Sequence, residues 1–279
     1  MRRAAIVTGS DSGIGRATAL ALAAAGMDVG ITWHTDQAGA EATAAGVRGA
    51  ARRAAIRRLD LTADPGAVVD ALADELGGIW ALVNCAGANH RAALLDDTAG
   101  GFRHALEVNL VGPVLCAQAA ARLMVAAGAG GRIVNVTSVH EHAPLRWAAA
   151  YSAAKAGLGM AGRVLALELA PHGITVNAVA PGHIATPMTG KDGVDPRTVA
   201  LPAIPVGRPG GPDEVAALIA HVVSAEAAYA TGASFLVDGG LLLTSAVPLQ
   251  DAVEGAPAPL HGAAEGPPAA LHHATETAR

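Results

Sequence analysis

The sequence predicts an α/β fold of the doubly wound Rossmann type: one mostly parallel sheet, seven-stranded, with helices on both faces. Three observations carry this. Short uninterrupted apolar runs alternate with longer Ala/Leu-rich stretches, as expected for strands buried on both faces and linked by helices. The first apolar run leads directly into a glycine-rich turn, TGSDSGIGRA, and then into a helical pattern. The chain has 279 residues, 52% of them hydrophobic, enough for one large core.

The elements follow in order. Residues 4–8 read as a buried strand and 13–25 as a helix. Asp28–Trp33 is the second strand, 37–46 the second helix, 54–59 the third strand and Pro65–Leu76 the third helix. Residues 79–84, 132–137, 175–180 and Ser234–Val237 give the remaining strands. Helical segments at 102–127, Ala149–Leu169 and 213–224 lie between or beside them. A single folded unit is expected over residues 1–248. Residues 249–279 are rich in Pro, Ala and Gly without hydrophobic period and read as a flexible tail.

Composition narrows the function. Charged residues make up 15%, the net charge is −5 and no basic patch stands out, which argues against a nucleic-acid partner. Cys85 and Cys116 are too few for a disulfide framework and fit a reducing cytoplasm. The N-terminal apolar run is too short for a secretory leader, and longer apolar stretches are interrupted by Gly, Arg or His. The expectation is a cytoplasmic protein with no membrane partner.

Gly9, Gly13 and Gly15 bend the chain between the first strand and helix and let the backbone approach a ligand closely. The helix N-terminus beyond them suits a pyrophosphate. A strand–helix turn of tight packing is the plain alternative, but the place of the loop after the first strand favours a dinucleotide site.

Further along, the stretch NVTSVHEHAPLRWAAAYSAAK sets Ser138, Tyr151 and Lys155 in order. Tyr151 and Lys155 stand four apart on an expected helix and share a face. A free tyrosine, with a pKa of about 10, is a poor base near neutrality, and an adjacent ammonium lowers that value. Such a pair handles the proton that a carbonyl gains, or an alcohol loses, as hydride moves. Each residue alone has an ordinary structural reading; together with the glycine loop they define a constellation.

The Thr-Gly-x-x-x-Gly-Ile-Gly loop at 8–15 and Tyr151-x-x-x-Lys155 resemble the short-chain dehydrogenase/reductase (SDR) family. NCAG at 84–87, VNL around Asn109, PGHIATPM from Pro181 and VDGG at 237–240 extend the resemblance over residues 4–245. ITWHTDQAGA and TSVHEHAPL look most similar to bacterial acetoin and diacetyl reductases. The resemblance implies an NAD(P)-dependent oxidoreductase of carbonyl/secondary-alcohol pairs. Tyr151 would be the acid/base, Lys155 its charge partner and ribose ligand, Ser138 the holder of the substrate oxygen and Asn109 the support of a proton relay. Cofactor contacts would come from Gly9, Asp11, Ser12, Gly13, Ile14 and Gly15 in the loop, and from Trp33 and His34 after the second strand. Asp60 (on the adenine amino group), Leu61, Asn84, Ala86 and Gly87 would follow, then Tyr151, Lys155, Pro181, Gly182, Ile184, Thr186 and Met188.

An acid at the end of the second strand would bind the ribose 2′-hydroxyl of NAD. Trp33 stands there instead, with His34 next, so NADP(H) is favoured over NAD(H), although Ser12 occupies the place where many NADP-dependent relatives carry a base. His140 and His183 are expected on the wall of the substrate pocket. His140, Glu141 and His142 lack zinc-site spacing, so no metal is expected. Cys85 replaces a family asparagine expected to tie the sheet, Cys116 is expected in the core, and Tyr229 is expected to pack. Residues 188–209 should form a pocket lid. Relatives usually form homotetramers through two long helices, and the small residues of the second, from Ala153 to Gly162, would permit close approach. Two rivals remain: a silent cofactor-binding sensor or scaffold, and a dehydratase or epimerase on the same fold.

Overall fold

Apolar side chains alternate between two cores across a single parallel sheet. The computed structural model describes residues 3–191 and 193–244; the proposed tail at 249–279 and the boundary at 248 lie outside them. Strands β1 (Ala4–Val7), β2 (Asp28–Trp33), β3 (Ala54–Arg58), β4 (Ala81–Asn84), β5 (Gly131–Val136), β6 (Ile174–Pro181) and β7 (Ser234–Val237) form the sheet. Its order is β3-β2-β1-β4-β5-β6-β7 with every pair parallel. The order reverses between β1 and β4, and such a switch point opens a crevice at the strand C-termini.

Helices α1 (Gly13–Ala24), α2 (Gln37–Gly49) and α7 (Pro212–Val222) cover one face, where Ala5, Val7, Val29 and Ile31 meet Leu22, Val47 and Ile219. On the other face lie α3 (Pro65–Leu76) and α5 (Gly112–Ala127), where Ile6, Leu82 and Ile133 meet Leu72, Cys116 and Met124. Helix α6 (Ala149–Leu169) packs beside them through Ala166. Each fully buried Leu or Ile contributes about 1.5–3 kcal/mol. Asp36 caps α2 and Asp64 caps α3, whose first residue is Pro65.

The segment expected as one helix over 102–127 is divided. Helix α4 (Ala99–Leu106), capped by Thr98, passes through one π-helical turn (Glu107–Val111) into α5. Pro113 is the cause: it has no N–H to donate and its ring crowds the carbonyl four residues back. By length and composition the run Ala99–Ala127 would suit a membrane span, but Cys116, Ala117, Ala120 and Met124 bury it against the sheet.

Two packing expectations meet the structure differently. Cys116 is fully buried, whereas Tyr229 is fully exposed, projecting from the turns that follow α7. The sheet tie expected at position 85 is made by Asn84, whose Nδ2 donates to the Pro113 carbonyl and to Asn135 Oδ1, both at 2.9 Å.

Candidate active site

The crevice is built from β1 outward. The Thr8 hydroxyl accepts the amides of Cys85 and Ala86 at 2.9 and 3.0 Å, joining the ends of β1 and β4. Gly9 follows at φ +62°, and a Cβ there would stand 2.8 Å from Ala86 Cα. Gly15 packs on the main chain of Gly9, with no room for a Cβ. Ser12, the N-cap of α1, makes no side-chain cap bond, so the first amides of the helix are left to a ligand. The loop, its helix end and a cleft of about 490 Å³ fit a dinucleotide.

Of the residues expected to bind the cofactor, all but Asn84 line this cleft; the Asn84 side chain turns into the sheet. Asp60 accepts from the amide and hydroxyl of Thr62, and these bonds hold its carboxyl below the usual range. Burial pushes Asp11 up, with Asp36 adding to the rise. At the end of β2, Arg58 donates to the His34 carbonyl at 3.2 Å.

Ser138, Tyr151 and Lys155 gather where β5 meets α6. Ser138 lies two residues beyond β5, buried, and its hydroxyl accepts the His140 amide at 3.1 Å. One face of α6 carries Tyr151 and Lys155, with the lysine Nζ 5.8 Å from the tyrosine ring centroid. Lys155 is buried and donates to the Val136 carbonyl at 3.1 Å. Burial pulls its pKa down to about 8, against the opposing influence of Cys85 and Glu141. The same burial pushes the Cys85 thiol up to about 12.

Asn109 sits in the π turn, buried. Its Nδ2 donates to the carbonyls of Ala88 and Ala105, both at 3.0 Å, and its Oδ1 accepts the Ala88 amide at 3.2 Å. Gly87 lies between the two side chains: a Cβ there would be 2.8 Å from Asn109 Oδ1 and 3.5 Å from Lys155 Nζ.

A second cavity of about 140 Å³ adjoins the cleft. Ser138, Tyr151, Gly182, Met188 and Thr189 border both spaces. His140 and His183, proposed for the substrate wall, line the small cavity, and from the segment read as a lid come Met188, Thr189 and Ile204. Asn89, Arg91, Leu145 and Leu241 also line it and were not foreseen. Their only signal in the sequence is position, since Asn89 and Arg91 directly follow the NCAG turn.

A switch-point crevice with a glycine cradle, opening onto Ser138, Tyr151 and Lys155, defines the class as a nicotinamide-dependent oxidoreductase of alcohol/carbonyl pairs. The chain belongs to the short-chain dehydrogenase/reductase family: the family model described as enoyl-(acyl carrier protein) reductase matches residues 8–242. It is 50% identical over 247 residues to the uncharacterized oxidoreductase YohF of Escherichia coli (strain K12), covering 88% of this chain and 98% of that one. Among solved structures it resembles acetoin dehydrogenase YohF from Salmonella typhimurium at 48% identity and a TM-score of 0.83, covering 87% of this chain and 97% of the other. Acetoin dehydrogenase from Enterobacter cloacae is similar at 48% identity and a TM-score of 0.82, with 87% and 96% covered.

Proposed function

We propose that this protein interconverts a small ketone and its secondary alcohol, with Tyr151 as acid/base and a substrate the size of a hydroxyketone or diketone. The observation that carries this is the shared border: Ser138 and Tyr151 face both the dinucleotide-sized cleft and the small cavity. A cavity of about 140 Å³ is well below the volume typical of drug-sized ligands. The acetoin dehydrogenases at 48% identity support that size.

When bound, the nicotinamide supplies or accepts the hydride. The Ser138 hydroxyl holds the substrate oxygen, and Tyr151 Oη gives that oxygen its proton as the carbonyl is reduced, or takes it back in oxidation. The Lys155 ammonium stabilises the phenolate left behind. Asn109, across Gly87 from Lys155, supports the proton path toward solvent. His140, His183 and Arg91 offer polar contacts to a second substrate oxygen.

NADP(H) is the proposed cofactor. No acid ends β2 at Trp33, and Arg58 and His34 lie together at that corner, where a 2′-phosphate would be received. Asp11 and Asp36 oppose this, and competitive binding decides it: NAD(H) binding tighter by about tenfold would reverse the assignment. We place the protein in the cytoplasm as a homotetramer. The exposed Leu115 and Val125 of α5 and Met160, Val164 and Leu167 of α6 form the contact faces. A monomer in sedimentation would refute the assembly.

The deciding test follows oxidation of NADPH and NADH against diacetyl, acetoin, small ketoesters and aldoses, for wild type and Tyr151→Phe. The wild type is expected to turn over a small ketone, and the variant to lose about 10²-fold or more while still binding cofactor. Cofactor binding without turnover across the panel would return the protein to the silent-sensor reading.

A further inference from the structure

We propose that Glu141 is a positioning residue for the reaction above: its buried carboxylate locks the end of β5 to α6 on the helix face that carries Lys155. The inference rests on the role proposed for Lys155. The Glu141 side chain is 5% exposed, in the turn after Ser138. Its Oε2 accepts the Thr137 hydroxyl at 2.7 Å and the Ser234 hydroxyl at 3.2 Å. With that proton spent, Ser234 Oγ accepts from His142 Nε2 at 2.9 Å. The Glu141 amide donates to the Ser138 carbonyl at 2.8 Å. Three successive residues of β5 and its end thus serve one site: Val136 holds Lys155, Thr137 holds Glu141, and Ser138 faces the substrate.

Helix α6 is shaped to receive the carboxylate. Lys155, Gly159 and Arg163 recur at every fourth position and share a face. Any Cβ on Gly159 would overlap Glu141 Oε1, and Arg163 stands 3.8 Å from that oxygen. The carboxylate therefore packs about one helical turn, roughly 6 Å of axial rise, from the Lys155 backbone, and the two side chains are anchored on the successive residues Val136 and Thr137. A carboxylate so placed favours the ammonium over the neutral amine, while burial favours the amine. The other titratable groups here are Cys85 from the end of β4 and Tyr151 on the same helix; Arg163 and His142 face Glu141, and Asp11 acts on Cys85.

The test compares Glu141→Gln, which removes the charge and turns one acceptor oxygen into an amide donor, with Glu141→Asp, which keeps the charge. The pH profile of kcat/KM is read for both, alongside acetylation of Lys155 followed across pH by mass spectrometry. For Glu141→Gln, the alkaline fall in activity and the rise in Lys155 acetylation should both move to lower pH by about half a unit. That is about threefold in activity at alkaline pH, with little change in mildly acidic solution. Glu141→Asp should restore the wild-type position. Equal losses at every pH, or an unmoved acetylation profile, would overturn the proposal. Acetylation needs no turnover, so it tests Glu141 even if no substrate is found, whereas an inactive wild type counts against the proposed function alone. Should Glu141→Gln fail to fold, Gly159→Ala displaces the carboxylate with a helix-favouring methyl; it should shift the acetylation profile the same way, and no shift would overturn the proposal.

Discussion

Lys155 Nζ donates to the Val136 carbonyl at 3.1 Å, so the strand that delivers Ser138 also anchors the lysine. Burial lowers the lysine to about 8, and its proton leaves as pH rises through that value. Activity that depends on the ammonium is therefore complete well below about 8 and declines above it. We expect kcat/KM for the cofactor to fall on the alkaline side of about pH 8, because this parameter reports groups of the free enzyme. Lys155→Met should lower it by about 10²-fold or more across the range and remove that limb. A wild-type profile flat to pH 10 would contradict the assignment.

Gly9 presses on Ala86 at the switch point. Its φ of +62° strains any L side chain, and a Cβ would stand 2.8 Å from Ala86 Cα. Gly9→Ala should cost about 1–3 kcal/mol and weaken cofactor binding at least tenfold. Urea unfolding and fluorescence titration with NADPH would measure the two effects, and unchanged affinity would remove Gly9 from the cradle.

The parts of this site legible in the sequence are those written as local pattern. Continuous apolar runs gave the strands, and the spacing 151–155 set tyrosine and lysine on one helical face. What was hidden depends on long-range geometry. No local feature says that Asn84 rather than residue 85 reaches Pro113 and Asn135, distant in sequence. The full exposure of Tyr229 follows from where a turn points, which hydrophobicity does not encode. Arg91 lines the small cavity beside the bond of 2.7 Å from the Ala92 amide to the Trp147 carbonyl, which joins two loops distant in sequence. The π turn had a signal, Gly112–Pro113, though not one that fixed its register.

Since Asn84 makes the tie, Cys85 is freed from it. Burial pushes both Cys85 and Cys116 up to about 12, leaving on the order of 10⁻⁴ of each thiol ionised at pH 8. Iodoacetamide should label neither cysteine in the native protein and both in urea, as read by mass spectrometry. Cys85→Asn should leave the urea midpoint almost unchanged; a clear loss of stability would show that the thiol itself supports the fold.

Arg208 and Glu214 staple the segment that follows β6 from outside. The guanidinium meets the carboxylate through two bonds of 2.8 and 2.7 Å, and Glu214 also accepts the Gly211 amide at 2.8 Å. Gly210, held between them in sequence, donates to the His183 carbonyl and accepts the Ala185 amide, both at 2.9 Å. The Arg208 bonds hold Glu214 down at about 2, below its ordinary 4.5. A depressed folded pKa contributes stability that is present above about 4.5 and lost as pH falls toward about 2. Glu214 is more than a third exposed, so solvent screening limits this to about 1 kcal/mol. Glu214→Gln should therefore be less stable than wild type by about that amount at neutral pH, with the gap closing as pH drops below about 4. Loosening residues 183–185 should also raise KM for the cofactor more than it lowers kcat. Urea unfolding at several pH values and steady-state kinetics test both halves; a stability gap constant down to about pH 2 would show that packing, rather than the ion pair, holds this loop.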